Sequence, residues 1–125
     1  MKNVEISFGL WSSQDVRTQL EDALDIDNTG VDVDRTARAQ YERAWETKRA
    51  EGITVIIGGA DMILYPQRLV QILRLCHDRK IRLSVDQSML GIIKDALTNE
   101  LKLSQAGATR AMEVLFPNGE FLHNT

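Results

Sequence analysis

With one cysteine, two histidines and two prolines in 125 residues, the chain lacks the raw material of several kinds of site and scaffold. A single thiol, Cys76, closes no disulfide within the chain, which excludes a disulfide framework and leads us to expect a reducing, cytoplasmic setting. His77 and His123 with that one cysteine cannot build a structural zinc site without carboxylates, so no metal and no other cofactor is expected. A Cys–His nucleophile pair is also disfavoured, because adjacent residues on a helix diverge by about 100°. No stretch approaches the ~18 consecutive apolar residues of a membrane span. The opening "MKNVEISFGLWSSQ" has neither a long apolar run nor a small-residue cleavage site, and is not read as a signal peptide. There is no excess of positive charge: 15 Lys and Arg stand against 18 Asp and Glu, for a net charge of −3. Nucleic-acid binding would leave a basic footprint, and no nucleic-acid or membrane partner is expected.

What is present is ordinary globular material, 43% hydrophobic and 26% charged, in a length typical of one domain. "VEISF" (4–8) alternates as a half-buried strand does. Ser12 or Ser13 is placed to cap a helix with Val16, Leu20, Ala23 and Leu24 on one stripe. Asp32 or Asp34 is placed to cap a second, with Ala37, Tyr41, Ala44 and Trp45 inward, an Arg38–Glu42 pair outward and Gly52 at its end. "ITVII" (53–57) is a continuous apolar run, the pattern of a central parallel strand covered on both faces. Pro66 then opens a helix with Leu69, Ile72, Leu73 and Cys76 inward, and "IRLSV" (81–85) follows as a strand. Asp86 or Ser88 is placed to cap a helix with Met89, Ile93, Ala96 and Leu97, and a shorter helix is expected over about 104–112. In "MEVLFPNGEFLHNT" two apolar runs flank Pro117-Asn118-Gly119, which predicts a hairpin. The expected fold is a single α/β domain over 1–125. It has a mixed, mostly parallel sheet of four or five strands, about five helices and a C-terminal β-hairpin.

Three places carry candidate chemistry. "ALDIDNTGVDVDRT" (23–36) holds Asp25, Asp27, Asp32 and Asp34. Its "DIDNT" fits the D-x-D-x-T signature of haloacid-dehalogenase-like phosphatases, a resemblance that implies a nucleophilic Asp25 at the end of a strand. The preceding "VRTQLEDAL" has helical periodicity instead. The same residues resemble an EF-hand calcium loop, but Asp32 stands at the apolar eighth position and Thr36 at the bidentate twelfth. A divalent-metal or phosphoryl-transfer site here is the weakest reading, and an acidic bend between helices the preferred one.

The second place is the carboxyl rim of the two central strands. Gly58, Gly59 and Asp61 follow one strand, and Asp86 and Ser88 end the other, where open α/β sheets hold ligands. Gly-Gly-Ala-Asp is neither a dinucleotide fingerprint nor a Walker loop. The alternative is that these residues only turn the chain and cap helices. The third is the layout of 53–101, loosely similar to the STAS regulatory domains. Their phosphorylatable Asp-Ser-Ser segment is replaced here by "ADMILYPQ".

The favoured function is therefore a non-catalytic regulatory or protein-interaction module that binds a protein partner or self-associates. Trp11, Tyr41, Trp45, Tyr65 and Phe121 are the expected interface anchors. A small-ligand or enzymatic site at the rim is the alternative.

Overall fold

The computed structural model describes residues 2–6, 15–58, 63–117 and 122–123. Strand β1 (Lys2–Ile6) buries Val4 and Ile6 and exposes Asn3 and Glu5, the alternation of a strand with one covered face. Helix α1 (Val16–Ala23) is capped by Asp15, whose carboxylate accepts the Thr18 N–H at 2.7 Å. That bond answers one of the donors every helix start leaves orphaned, and it holds the Asp15 carboxyl below its usual range. Ser12 and Ser13 lie outside the described residues, so the cap sits later than the sequence suggested.

Helix α2 (Arg35–Glu51) is capped by Asp34, which accepts the Thr36 N–H at 2.9 Å. It stops at Gly52, whose φ of 94° is open to glycine at little steric cost. Strand β2 (Ile53–Ile57) leads to helix α3 (Pro66–Arg79), with proline in its first turn and Leu69, Ile72, Leu73 and Cys76 buried. Strand β3 (Arg82–Asp86) runs through a single 3₁₀ turn (Gln87–Met89) into helix α4 (Leu90–Asn99). Ser104 caps helix α5 (Gln105–Leu115) by accepting the Gly107 N–H at 3.0 Å, and β4 (Leu122–His123) closes the order.

The sheet order is β1-β2-β3-β4, and each described ladder is parallel. Sequential order with right-handed crossovers returns every connection on the same side of the sheet. The contacts agree: α1 lies on β1, α5 on β3, and α3 touches both α1 and α5. One sheet face is therefore the floor of the core. Val4, Val55 and Leu83 form one cross-strand row on it, and Ile6 and Ile57 continue the pattern. Leu20, Ile72, Leu73, Ile93, Leu97 and Leu115 descend onto it with 0% exposure. At about 1.5–3 kcal/mol per buried aliphatic side chain, this layer is the main favourable term of the fold.

Four expectations change. The hairpin's first arm is helical, because Ala108, Ala111 and Leu115 continue one helical stripe through "MEVL". Proline at 117, which cannot continue a helix, stands just beyond its end. The second arm, β4, pairs with β3 in parallel, so no described strand pair is antiparallel; Asn118 and Gly119 lie outside the described residues. The sheet has three five-residue parallel strands, extended only by the two-residue β4, so the mixed sheet of four or five full strands that was expected is not seen among the described residues. Tyr41 and Trp45 are core residues, 4% and 1% exposed, so these two do not anchor an outer surface, whereas Tyr65 is half-buried and packs against the core. Trp11 and Phe121 lie outside the described residues. Among the described residues no helix is long and apolar enough to cross a membrane.

Candidate functional site

The carboxyl rim comes first because β2 and β3 are neighbours running the same way. Ile56 is level with Ser84, so Gly58 and Asp86 end adjacent strands at one height. Gly59 and Asp61 lie outside the described residues. Asp86 accepts both the Ser88 N–H at 2.8 Å and the Ser88 hydroxyl at 2.6 Å, so both side chains are engaged in starting the 3₁₀ turn. The strand order does not reverse, so this rim lacks the topological switch that opens a crevice in doubly wound sheets. Gly58 is exposed, and a Cβ there would meet nothing within 4 Å, so no packing demand explains the glycine.

The acidic stretch is a turn in which the Asp27 and Asp34 carboxylates bond local backbone. Asp27 accepts the Thr29 N–H at 2.9 Å, and hydrogen bonding from the Thr29 side chain, followed by that backbone bond, holds its carboxyl below the usual range. Gly30, at φ 74°, takes the Asp34 N–H on its carbonyl at 2.8 Å, and Asp34 caps α2. Among the described residues no group of three or more His, Cys, Asp or Glu side chains is placed to hold a metal ion. Cys76 is fully buried, and burial pushes its thiol far above the range of a reactive cysteine.

One cluster was missed in the sequence. Glu21, on α1, is 1% exposed. Its carboxylate accepts from the Tyr41 hydroxyl, from Trp45 Nε1 at 3.3 Å and from Asn28 Nδ2 at 3.0 Å. Burial, followed by this carboxylate, raises the Tyr41 pKa. Arg79, at the end of α3, lies 5.6 Å from the Tyr41 ring centre and 5.0 Å from that of Trp45, and it grips Glu42 at 2.6 and 3.4 Å. That grip holds the Glu42 carboxyl below its usual range. The signal was available: Tyr41 and Trp45 recur at i, i+4, and when buried each carries a polar handle that needs an acceptor.

A shallow cavity of about 290 Å³ lies beside this cluster, lined by Arg17, Asn28, Asp32 and Arg38 with Glu21 and Tyr41. Glu21 has three donors already and almost no exposure. It works as a clamp between α1, the acidic turn and α2, and is poorly placed to meet a substrate.

The remaining feature is the second face of the sheet. Its rows are Asn3–Thr54–Arg82 and Glu5–Ile56–Ser84. Asn3 and Glu5 are exposed, Ile56, Arg82 and Ser84 are half-buried, and only Thr54 is buried. β2 was expected to be covered on both faces, and its burial agrees: Ile53, Val55 and Ile57 are buried on the helix side, and on the other Thr54 is 2% exposed and Ile56 half-buried. The chain matches no known protein-family model, no curated protein and no solved structure.

Proposed function

We propose that this chain is a non-catalytic protein-interaction module whose working surface is the second face of its parallel sheet. The observation that carries this is the mismatch between strand direction and coverage. Purely parallel sheets are as a rule covered on both faces, whereas here the described helices that touch the sheet lie on one side. On the other, the edge strand β1 exposes Asn3 and Glu5 beside half-buried Ile56, Arg82 and Ser84 and buried Thr54. The engagement of the polar side chains supports the same reading: Asp86 and Ser88 form a cap, Glu21 a clamp, and Cys76 a core residue. A free thiol buried in a core also fits the cytoplasm as its compartment. The test is Ile56→Asp, which places a charge at the centre of the face without touching the helix-covered side. Immobilised wild-type chain should retain a protein partner, another copy included, that the variant loses while keeping the wild-type melting temperature. Equal retention by both chains removes the reading.

A small ligand at the carboxyl rim is the second reading, favoured by one observation. Gly58 has no steric reason to be glycine, and Ile63 and Leu64, which follow β2, are 60% and 66% exposed. A metabolite that raises the melting temperature of the wild type, but not of Gly58→Val, would establish it.

A further inference from the structure

We infer that the outer edge of β1 is a docking site for the same edge of a second copy, paired antiparallel about a twofold axis at Val4. This edge is a surface separate from the sheet face above. β1 ends the sheet order, with β2 on one side and, among the described residues, no strand on the other. Lys2 donates its N–H to the Gly52 carbonyl at 2.9 Å, toward β2. Backbone groups alternate in direction along a strand, so Val4 and Ile6 turn the same way as Lys2. Asn3 and Glu5 therefore turn both N–H and C=O to the outer edge, where these groups have no hydrogen-bond partner among the described residues. Such an edge is a template for another strand.

The pattern of β1 says which kind of strand it takes. β2, between two parallel neighbours, is buried at every position but Ile56, whereas β1 alternates buried Val4 and Ile6 with exposed Asn3 and Glu5. Alternation of that kind, one face covered and one solvated, is the habit of antiparallel pairs. An antiparallel pair of identical strands is also what a twofold axis normal to the sheet produces. One patch then serves both copies, and both helix layers fall on the same side.

Register follows from which residues face outward. Centred on Val4, the pairing sets Asn3 of each copy opposite Glu5 of the other, as two hydrogen-bonded pairs that each exchange two backbone bonds. On the second face the Asn3 amide then meets the Glu5 carboxylate across the seam, a donor on an acceptor. A slip of two residues sets Glu5 against Glu5, or Asn3 against Asn3, and keeps one such pair within Lys2–Ile6. A slip of one is closed, because it pairs residues from opposite faces.

Size sets the strength. Five residues span about 17 Å, and one strand edge covers on the order of a few hundred Å² per copy. That is well below the ~800 Å² per partner of a standard interface, so the dimer is weak and fast-exchanging.

Sedimentation equilibrium and amide hydrogen exchange on the full chain test this. Wild type should self-associate at high protein concentration, with the Asn3 and Glu5 amides protected there and exchanging freely in dilute protein. Glu5→Pro removes an outward N–H that β1 does not use in its own sheet, and should abolish the association. Asn3→Glu sets like charges opposite at both pairs and should weaken it roughly tenfold. Adding Glu5→Lys to Asn3→Glu should restore it, because each pair then joins opposite charges. Both positions are exposed, so these two variants keep the test decisive if Glu5→Pro unfolds.

A wild type that is monomeric at every concentration overturns the inference. So does association that survives Glu5→Pro, or a double variant as weak as Asn3→Glu. Protection that rises with concentration on other strands, and not at Asn3 and Glu5, overturns it as well. The face reading is judged apart, by whether Ile56→Asp loses its protein partner.

Discussion

The two faces of the sheet are made from the same three strands, alternate residue by alternate residue, yet they obey different rules. On the helix side, Val4, Val55 and Leu83 form a cross-strand row with no more than 5% exposure. One step along each strand, Glu5 is exposed and Ile56 and Ser84 are half-buried. Strand direction alone therefore does not decide coverage. It is set by the crossovers, which in a sequentially ordered parallel sheet all return on the same side.

The comparison predicts opposite sensitivities for adjacent residues. Leu83→Ala removes a fully buried side chain and leaves a cavity under the helix layer, at a cost of about 2–5 kcal/mol. Ser84→Ala, the next residue on the other face, should stay within about 0.5 kcal/mol. Urea unfolding of dilute protein measures both. Similar losses for the two would mean that the second face is packed in the monomer.

The helix layer contains its own polar exception, and it gives the next largest effect. Glu21→Ala leaves the Tyr41 hydroxyl and the Trp45 indole N–H buried without their acceptor, a loss of about 2–4 kcal/mol. Asp32→Ala, on an exposed carboxylate of the neighbouring acidic turn, should change stability by less than about 0.5 kcal/mol. A small loss for Glu21→Ala would show that the cluster is not a clamp, and would free that carboxylate for chemistry beside the Arg17–Arg38 cavity.

The middle of the chain was legible in the sequence because local signals agreed there. "ITVII" is long and apolar enough to be a central strand, Pro66 is pre-set for a first helical turn, and Leu83 and Val85 alternate with polar neighbours. The resulting β2–α3–β3 unit is parallel and adjacent, as those signals require. The end misled because two local signals conflicted. Pro-Asn-Gly has the chemistry of a tight turn, but Ala108, Ala111 and Leu115 carry a helical stripe right up to it, and burial decided in favour of the helix.

Glu21 was only partly legible: buried Tyr41 and Trp45 call for an acceptor, but a charged residue beside a stripe is normally solvated, and no local pattern says that the acceptor lies 20 residues away from Tyr41. The rim was half legible. Gly58 and Asp86 end neighbouring strands at one height, but strand order, which no local pattern encodes, withholds the crevice.

The smallest effect tests the exposed β1 edge of the second face by its sign. Asn3 is an exposed strand residue, and asparagine is a poor strand former because its side chain competes for nearby backbone groups. Threonine is β-branched and suits a pleated, solvated surface. Asn3→Thr should therefore raise the urea midpoint, by a few tenths of a kcal/mol at unchanged slope, in protein dilute enough to be monomeric. If another part of the same chain rested on this face, the Asn3 amide would have a partner there, and the shift would be a loss.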